Sequence, residues 1–561
     1  MPSMDSAEPK ANKPSELSGS EALAWGVIEA GVQYVTGHPG SPGSAVVDVL
    51  VRLNIPGVRI EWASNERTAF DAAFGYSLAE TRSLVCFKSV GLNVALDSLM
   101  VSNLAGGDGG FVILTGDDPG GWGSQNEQDS RPLIAAAEIP MLEPSTPAEG
   151  RTVIQRAYEL SERIKTPVAV RITQAMAIGK GPAASPLQAP QSRTPARFRR
   201  QEDRWTVTPT FVVSYHQKLV ETLRSVQAEF EDWDLNQVEG DGQLGIIAPG
   251  HAYSKLKQVL DQNPGQAVRI LKLGTLFPLP EERIASFLEG LEGVLVIEET
   301  APYLENQLPT IAFRAGLQVA ISGRNSGHIP VAGELFPEHI SQVLGGFLPA
   351  WQAPSHLEPP RRHMISMDPL CEGCPYSPGF GSLLKVMERH GGRDAFVVTG
   401  ESGCMIRAQV SPERILDTKF AMGSSIGIAS GIARTGIPQK VISLAGDNAF
   451  LHTGWGQLMD AVQAGVKMLV IILDNATAAI SGGQPHAAIG HDLLGKPRKP
   501  VDLVRLVQAV GVENIHVVDP INIQETQNAY EEGLAADGVS VVIIRHPCPY
   551  FISETPHQVG S

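Results

Sequence analysis

Cysteine is scarce in this chain, with five in 561 residues. So few thiols in so long a chain argue against the disulfide framework on which small secreted domains rely. No run approaches the ~20 consecutive apolar residues of a membrane helix, so no membrane partner is expected. Positive charge is in deficit as well: 44 Lys and Arg stand against 60 Asp and Glu, a net charge of −16. Binding nucleic-acid phosphates needs clustered Lys and Arg, so nucleic acid is set aside as a partner. The segment from Met1 to Leu17 is polar, holds Pro9, Lys10, Lys13 and Pro14, and lacks an apolar signal core. It reads as a disordered tail (1–17) on a cytoplasmic protein. No short-period repeat is visible.

What is present is the composition of a soluble globular protein, 43% hydrophobic and 19% charged. The length suits about three to four domains. From residue 18 to 185, short apolar runs (Ser83 to Lys88, Gly110 to Thr115, Val168 to Ile172) alternate with amphipathic stretches such as Ser20 to Ala30. That alternation predicts a doubly wound α/β unit with a parallel sheet. A Pro/Ala/Ser/Gln-rich stretch, Gly181 to Pro195, marks a linker, and the linker and a charged helical segment together occupy 186–240. A second α/β unit is expected over 241–348, and a Pro-rich linker over 349–366. A third unit, 367–561, carries the runs Ala395 to Thr399, Val441 to Ala445, Met468 to Leu473 and Val539 to Arg545.

The third unit holds two sets of residues that carry chemistry. Gly446-Asp447-Asn448-Ala449 follows a predicted strand and precedes a helix, and Asp474-Asn475-Ala476-Thr477-Ala478 ends the next strand. Ligands bind at the carboxyl edge of a parallel sheet, so Asp447 and Asn475 should meet there. Magnesium takes hard oxygens, few of them from protein. Asp447, the Asn475 amide oxygen and a backbone carbonyl near Thr477 would supply three. Upstream, Met422-Gly423-Ser424-Ser425 opens a helix whose small residues would let a diphosphate reach free N–H groups. The plainer reading is a strand-end Asp capping the next helix and an ordinary turn Asn. The second set is four of the five cysteines, Cys371 and Cys374 in a CxxC, then Cys404 and Cys548. They suggest a metal centre, with a structural zinc or unrelated buried thiols as the alternatives.

The ordered Gly-Asp and Asn set resembles the diphosphate half of thiamine-diphosphate enzymes. The resemblance implies a second half bearing a glutamate that activates the aminopyrimidine, and Asn65-Glu66 opening a helix in the first unit fits it. Met422 resembles the bulky residue that holds the cofactor bent. On this likeness Gly40, Met422, Gly423, Ser424, Ser425, Gly446, Asp447, Asn448, Ala449, Asn475, Thr477 and Ala478 surround thiamine diphosphate, with Asp447, Asn475 and Thr477 on Mg2+. The fold implied is a pair of thiamin-diphosphate-binding domains, with a transketolase C-terminal-like domain between them.

Longer matches point to one branch. Tyr34 to Pro42, Lys88 to Asn93, Ser124-Gln125-Asn126-Glu127-Gln128-Asp129-Ser130-Arg131, Leu142 to Ser145, Gly327 to Pro330, Cys371 to Pro375 and Leu473 to His486 resemble the alpha subunits of the indolepyruvate ferredoxin oxidoreductase family. The likeness runs from about residue 18 to Cys548. It implies oxidative decarboxylation of an arylpyruvate-type 2-oxoacid with coenzyme A as co-substrate. Ser41 would hold the substrate carboxylate, and Cys371, Cys374, Cys404 and Cys548 would bind one 4Fe–4S cluster. It also implies a smaller gamma- or beta-type subunit, a dimer of heterodimers, and ferredoxin or another electron acceptor. Cys86 is left over in a strand. Two departures stand out. Family members end in a ferredoxin-like domain with further cysteine runs, whereas no cysteine follows Cys548, so onward electron transfer is expected to reach another polypeptide. Asn448, and Trp122-Gly123 before the Ser-Gln string, depart locally and leave the substrate open. His38, His452 and His486 are expected in loops near the cofactor, as candidates to exchange protons or bind the 2-oxo group. Lys88 is a candidate substrate or coenzyme A contact, and Asp129 with Arg131 an ion pair. The competing reading is a non-oxidative thiamine-diphosphate-dependent decarboxylase or carboligase, and a non-catalytic scaffold subunit is a third.

Overall fold

The computed structural model describes residues 16–183, 195–353, 368–410 and 413–551, without the side chains of 202 and 203. Most of the expected tail, the middle of the Gly181–Pro195 linker, most of the 349–366 linker and the last residues of the third unit lie outside the described residues. Glu16 and Leu17, read above as tail, are instead part of a strand. Glu16–Ser18 pairs antiparallel with Lys180–Pro182, because Leu17 is buried there and cannot stay in solvent without exposing its side chain.

Three sheets organise the rest. The first has seven strands in the order Thr275–Phe277, Met141–Leu142, Val168–Thr173, Phe111–Asp117, Ser83–Lys88, Tyr34–Gly37, Arg59–Trp62. It is parallel except where Thr275–Phe277 pairs antiparallel with Met141–Leu142. The second has five strands, four of them parallel, with Gln237–Glu239 antiparallel at one edge. The third has six parallel strands in the order Thr418–Lys419, Phe396–Gly400, Lys440–Gly446, Met468–Asp474, Val539–Arg545, Asn514–Val518.

Helices cover both faces of these sheets, and the central strands are therefore apolar along their length rather than alternating. Every residue of Met468–Asp474 is buried, and Val539–Arg545 supplies the β-branched run beside it. The chain is thus an α/β protein of doubly wound parallel sheets. Among the described residues no helix is long and apolar enough to cross a membrane.

Buried charge fastens the first sheet to the second. Arg171, fully buried, donates to Asp117 Oδ2 at 2.7 Å, Glu143 Oε1 at 2.7 Å and the Glu299 carbonyl at 2.9 Å. Arg131 donates to Asp129 Oδ2 at 2.6 Å, Glu298 Oε2 at 2.8 Å and the Ala301 carbonyl at 2.8 Å. The expected Asp129–Arg131 pair is therefore one part of an interdomain network. Removing one partner of such a network strands a buried charge, at a cost of about 3–5 kcal/mol. Arg171→Leu should lower the stability of the chain by that order in urea unfolding. Arg67→Ala, which removes the exposed pair with Asp97, should cost under about 1 kcal/mol. Equal effects would show that the network does not fasten the units.

Candidate active site

The carboxyl ends of the third sheet's central strands build the first cluster. Asp447 begins the helical segment after Lys440–Gly446, and Asn475 follows Met468–Asp474 in the neighbouring strand, as predicted. Both side chains are buried. Asp447 Oδ1 accepts the Asn448 N–H at 2.7 Å, and Oδ2 accepts the Asn475 N–H at 3.1 Å. Asn475 Oδ1 accepts the Thr477 N–H at 3.2 Å. Ala476 between them takes the left-handed conformation, φ 57°, and Thr477 Oγ1 donates to the Gln484 carbonyl at 3.4 Å. The Ala478 N–H bonds the Gln484 carbonyl at 2.9 Å, and that return brings His486 Nε2 within 3.1 Å of Asp447 Oδ2. His486 thus lies against the candidate magnesium ligand.

Gly423 has φ +75°, and a methyl group added to it would lie 1.9 Å from Thr453 Oγ1. Only glycine fits that turn, and the small space it leaves borders the Ser425–Arg434 helix. Met422 and Ser424 are half-buried, whereas Ser425 and Ala449 are buried. Glu401, which the sequence reading passed over, sits at the centre of this turn. Its carboxyl faces the N–H groups of Ser425, Gly446 and Gly423, with Ser425 N 3.4 Å from Oε2. Glu401 Oε1 and Ser425 Oγ are buried without hydrogen-bond partners among the described residues. Burial pushes the Glu401 carboxyl up to about 8, although those N–H groups oppose the shift.

The second half comes from the first sheet. Asn65 caps the Glu66–Leu78 helix by accepting the Thr68 N–H at 2.9 Å, which fixes Glu66 at its first residue. Gly91 makes room, since a methyl group there would lie 2.9 Å from Glu66 Oε1. Glu66 Oε2 meets His452 Nε2 at 2.7 Å, both groups buried, and Asn65 Nδ2 donates to the His452 carbonyl at 3.2 Å. His452 is not in a loop as expected but in a widened helical turn, Phe450–Gly454, a feature that often marks functional positions. Burial raises the Glu66 carboxyl, but the His452 hydrogen bond and the His38 and His452 rings outweigh it and hold the group below its usual range. His38 packs edge-on to His452 with ring centres 5.0 Å apart. Its Nδ1 lies 3.1 Å from the Ala63 carbonyl, and its buried Nε2 has no hydrogen-bond partner among the described residues. Burial, more than its neighbours, lowers the His38 imidazole. Gly40 packs on the Lys88 stem, and Ser41 beside it is exposed. No bond joins Ser41 to these clusters among the described residues.

The cysteines form the third cluster. Cys371, Cys374, Cys404 and Cys548 line one cavity of about 240 Å³ together with Asn475, Arg407 and Tyr550. The Cys548 N–H donates to the Asn475 carbonyl at 3.0 Å, and Asn475 Nδ2 lies 3.9 Å from Cys404 Sγ. Burial pushes the Cys404 thiol up to about 12, reinforced by Cys374, Cys548, Asp447 and Cys371. Cys374 is raised mainly by burial as well. Cys86 is fully buried in its strand, away from this cavity. Among the described residues, no group of three or more His, Cys, Asp or Glu is set to hold a single metal ion.

Residues 399–544 match the family described as thiamine pyrophosphate enzyme, C-terminal TPP binding domain. The indolepyruvate oxidoreductase subunit IorA of Pyrococcus abyssi is 32% identical over 577 residues, covering 96% of this chain and 87% of that protein. The IorA subunit of Methanothermobacter marburgensis is 33% identical over 542 residues, with 95% and 86% covered. The chain belongs to the indolepyruvate oxidoreductase IorA family. It is a thiamine-diphosphate-dependent 2-oxoacid oxidoreductase. A solved 2-oxoglutarate:ferredoxin oxidoreductase from Magnetococcus marinus aligns at TM-score 0.46 and 16% identity, over 58% of this chain and 65% of that one, a likeness that carries no argument.

The donor set fits the family's cofactor. The unpartnered Ser425 Oγ, Glu401 Oε1 and His38 Nε2, with the open turn at Gly423, are what a buried polar ligand would satisfy. Gly423→Ala should therefore weaken thiamine diphosphate binding at least about tenfold, a loss of ~1.4 kcal/mol, by isothermal titration. An unchanged affinity would separate this turn from the cofactor.

Glu401 gives a pH signature. Its folded value of about 8 exceeds the ordinary 4.5. Stability is therefore fully present below the unfolded value and drains away as pH rises to the folded one. Measured without cofactor, Glu401→Gln should gain on the wild type between pH ~5 and ~8, at up to about 1.4 kcal/mol per pH unit. Parallel stability curves would show that the carboxyl is ionised throughout.

Proposed function

We propose that this chain is the thiamine-diphosphate subunit of a cytoplasmic enzyme that oxidatively decarboxylates an arylpyruvate-type 2-oxoacid with coenzyme A. The products are acyl-CoA and CO2, and the electrons leave through one 4Fe–4S cluster to ferredoxin or a partner. The observation that carries the oxidative reading is that four thiols line one cavity whose wall includes Asn475 of the candidate magnesium site. A zinc ion with Zn–S bonds of about 2.3 Å would need the four sulfurs drawn tightly around one point. A cavity of about 240 Å³ among the four thiols suits a larger inorganic core. Bound there, the cluster would accept electrons one at a time beside the organic cofactor.

Thiamine diphosphate supplies the carbon nucleophile and the electron sink that decarboxylation requires. This chain's residues do the rest. Asp447, Asn475 and a backbone oxygen near Thr477 would hold Mg2+, and the N–H groups from Gly423 to Ser425 and at Gly446 would face the diphosphate. Glu66, ionised and buried, would take the aminopyrimidine hydrogen bond that His452 now satisfies. His452 would then be free to hold or release a proton at its Nε2. Ser41, exposed at the end of the first sheet, is assigned to the substrate carboxylate. A smaller gamma-type subunit and a dimer of heterodimers complete the assembly in this reading.

Purified anaerobically with its partner, the protein should be brown, hold about four iron and four sulfide per chain, and reduce a viologen dye with phenylpyruvate and coenzyme A. Glu66→Gln should lower that turnover at least ~100-fold with iron content unchanged. Retained turnover removes Glu66 from the mechanism. Free aldehyde formed without any electron acceptor would instead mark a non-oxidative decarboxylase.

A further inference from the structure

Two lysines from different units meet over one loop. Lys88 ends the first-sheet strand Ser83–Lys88, next to the strand that leads into Gly40 and Ser41. Lys419 ends the third-sheet edge strand Thr418–Lys419, three residues before Met422. Lys88 Nζ donates to the Gly123 carbonyl at 2.7 Å, and Lys419 Nζ donates to Gln125 Oε1 at 2.8 Å. Their acceptors lie two residues apart on one loop, so the two ammonium groups are held near each other. Gln125 Oε1 also accepts Ser402 Oγ at 2.6 Å, which brings the end of a second third-sheet strand to the same point.

The electrostatics of this pair are unbalanced. Both lysines are half-buried, and both recorded acceptors are neutral oxygens. Neither lysine forms an ion pair among the described residues. Asp118, which attracts Lys88, accepts the Gly123 N–H at 2.9 Å and Ser124 Oγ at 2.6 Å through Oδ2, while its Oδ1 is buried without a hydrogen-bond partner among the described residues, and it forms no ion pair with Lys88. Burial lowers both ammonium groups, and Lys419 lowers Lys88 further. Like charges gathered in partly desolvated surroundings repel unless an anion sits between them. Gly40 packs against the Lys88 stem, with a methyl group there 3.0 Å from Lys88 Cβ, so this positive spot adjoins Ser41.

We infer that Lys88 and Lys419, with Gln125 between them, form an oxyanion subsite at the mouth of the thiamine cleft. It takes a carboxylate of the 2-oxoacid or a phosphate of coenzyme A, two sources of one chemistry. The inference rests on the 2-oxoacid reading for its ligands but not for its test. Lysine-to-oxyanion contacts are charge-assisted and individually strong. The loop's neutral oxygens can be exchanged for such a ligand without breaking an ion pair.

The test is isothermal titration of the full chain, free of thiamine diphosphate so that nothing turns over, with phenylpyruvate and separately with adenosine 3′,5′-bisphosphate. Lys88→Met and Lys419→Met should each weaken one of these probes at least about tenfold, and Lys88→Arg should restore most of it. Loss confined to phenylpyruvate assigns the subsite to the 2-oxoacid, and loss confined to the bisphosphate assigns it to coenzyme A. Thiamine diphosphate affinity, measured afterwards, reports folding, and Lys419→Met at a sheet edge carries the test if Lys88→Met does not fold. A wild type that binds neither probe, or variants that bind both as the wild type does, overturns the subsite. Lysine-dependent binding without viologen reduction by any 2-oxoacid would sink the functional reading and leave the subsite standing.

Discussion

Asn475 is the residue on which the catalytic half of the molecule turns, because all four of its polar atoms are committed in different directions. Its N–H goes to Asp447 and its amide oxygen to the Thr477 N–H. Its carbonyl receives the Cys548 N–H, and its amide nitrogen points at Cys404. The side chain and the two flanking peptide groups of one residue thus join the candidate magnesium site to two of the four cavity-lining cysteines. The parallel register beneath makes this possible. Asp474 lies opposite Arg545 in the adjacent strand, and the two chains leave the sheet side by side, so Cys548 arrives beside Asn475 without a long loop. Asp447 and the cysteine-lined cavity therefore lie on two sides of one short residue.

The other half of the site depends on domain contact. Glu66 and His452 are 386 residues apart in sequence, yet share a buried 2.7 Å contact, and Asn65 adds a bond to the His452 backbone. An ionised carboxylate buried alone would be strongly disfavoured; paired with an imidazole it keeps its charge although buried. Gln125 repeats the arrangement further out, linking the first unit to Ser402 and Lys419 of the third. The Arg131 and Arg171 networks hold the middle unit against the first, so the loop bearing Gln125 hangs from a rigid base.

Local pattern in the sequence was enough for the strands that bear Asp447 and Asn475, because fully buried parallel strands read as continuous apolar runs and their carboxyl ends are where ligands sit. The resemblance to thiamine-diphosphate enzymes pointed to the helix that Glu66 opens, and the structure adds the Asn65 cap that starts it. Three features were not legible. Glu401 is a lone acid at a strand end, and only the fold shows that it lies among the N–H groups of two other segments. His452 was expected in a loop, whereas a widened helical turn carries it and places it against Glu66. Thr275–Phe277 leaves its own unit to pair with Met141–Leu142, a long-range choice that no periodicity records. In each case the deciding contact spans elements far apart in the chain.

The crowding of acidic groups around Asn475 gives the two centres a common electrostatic condition. Asp447 and the other cysteines each help to raise the Cys404 thiol, after burial itself, and Asp447 also raises Asp474. The cavity therefore resists holding several negative charges at once while it contains protein alone. Its nearby permanent cations are few: Arg407 borders the thiols, with Nη1 3.8 Å from Cys371 Sγ, and Arg545 is spent on Asp474 at 2.6 Å. Positive charge entering there would oppose what raises the Cys404 and Cys374 thiols, and metal coordination removes the proton as it supplies that charge. The same field lies over Asp447, so a cation on either side of Asn475 lowers the electrostatic cost of anionic ligands on the other. The geometry that joins the two centres through one residue also makes their charge states interdependent.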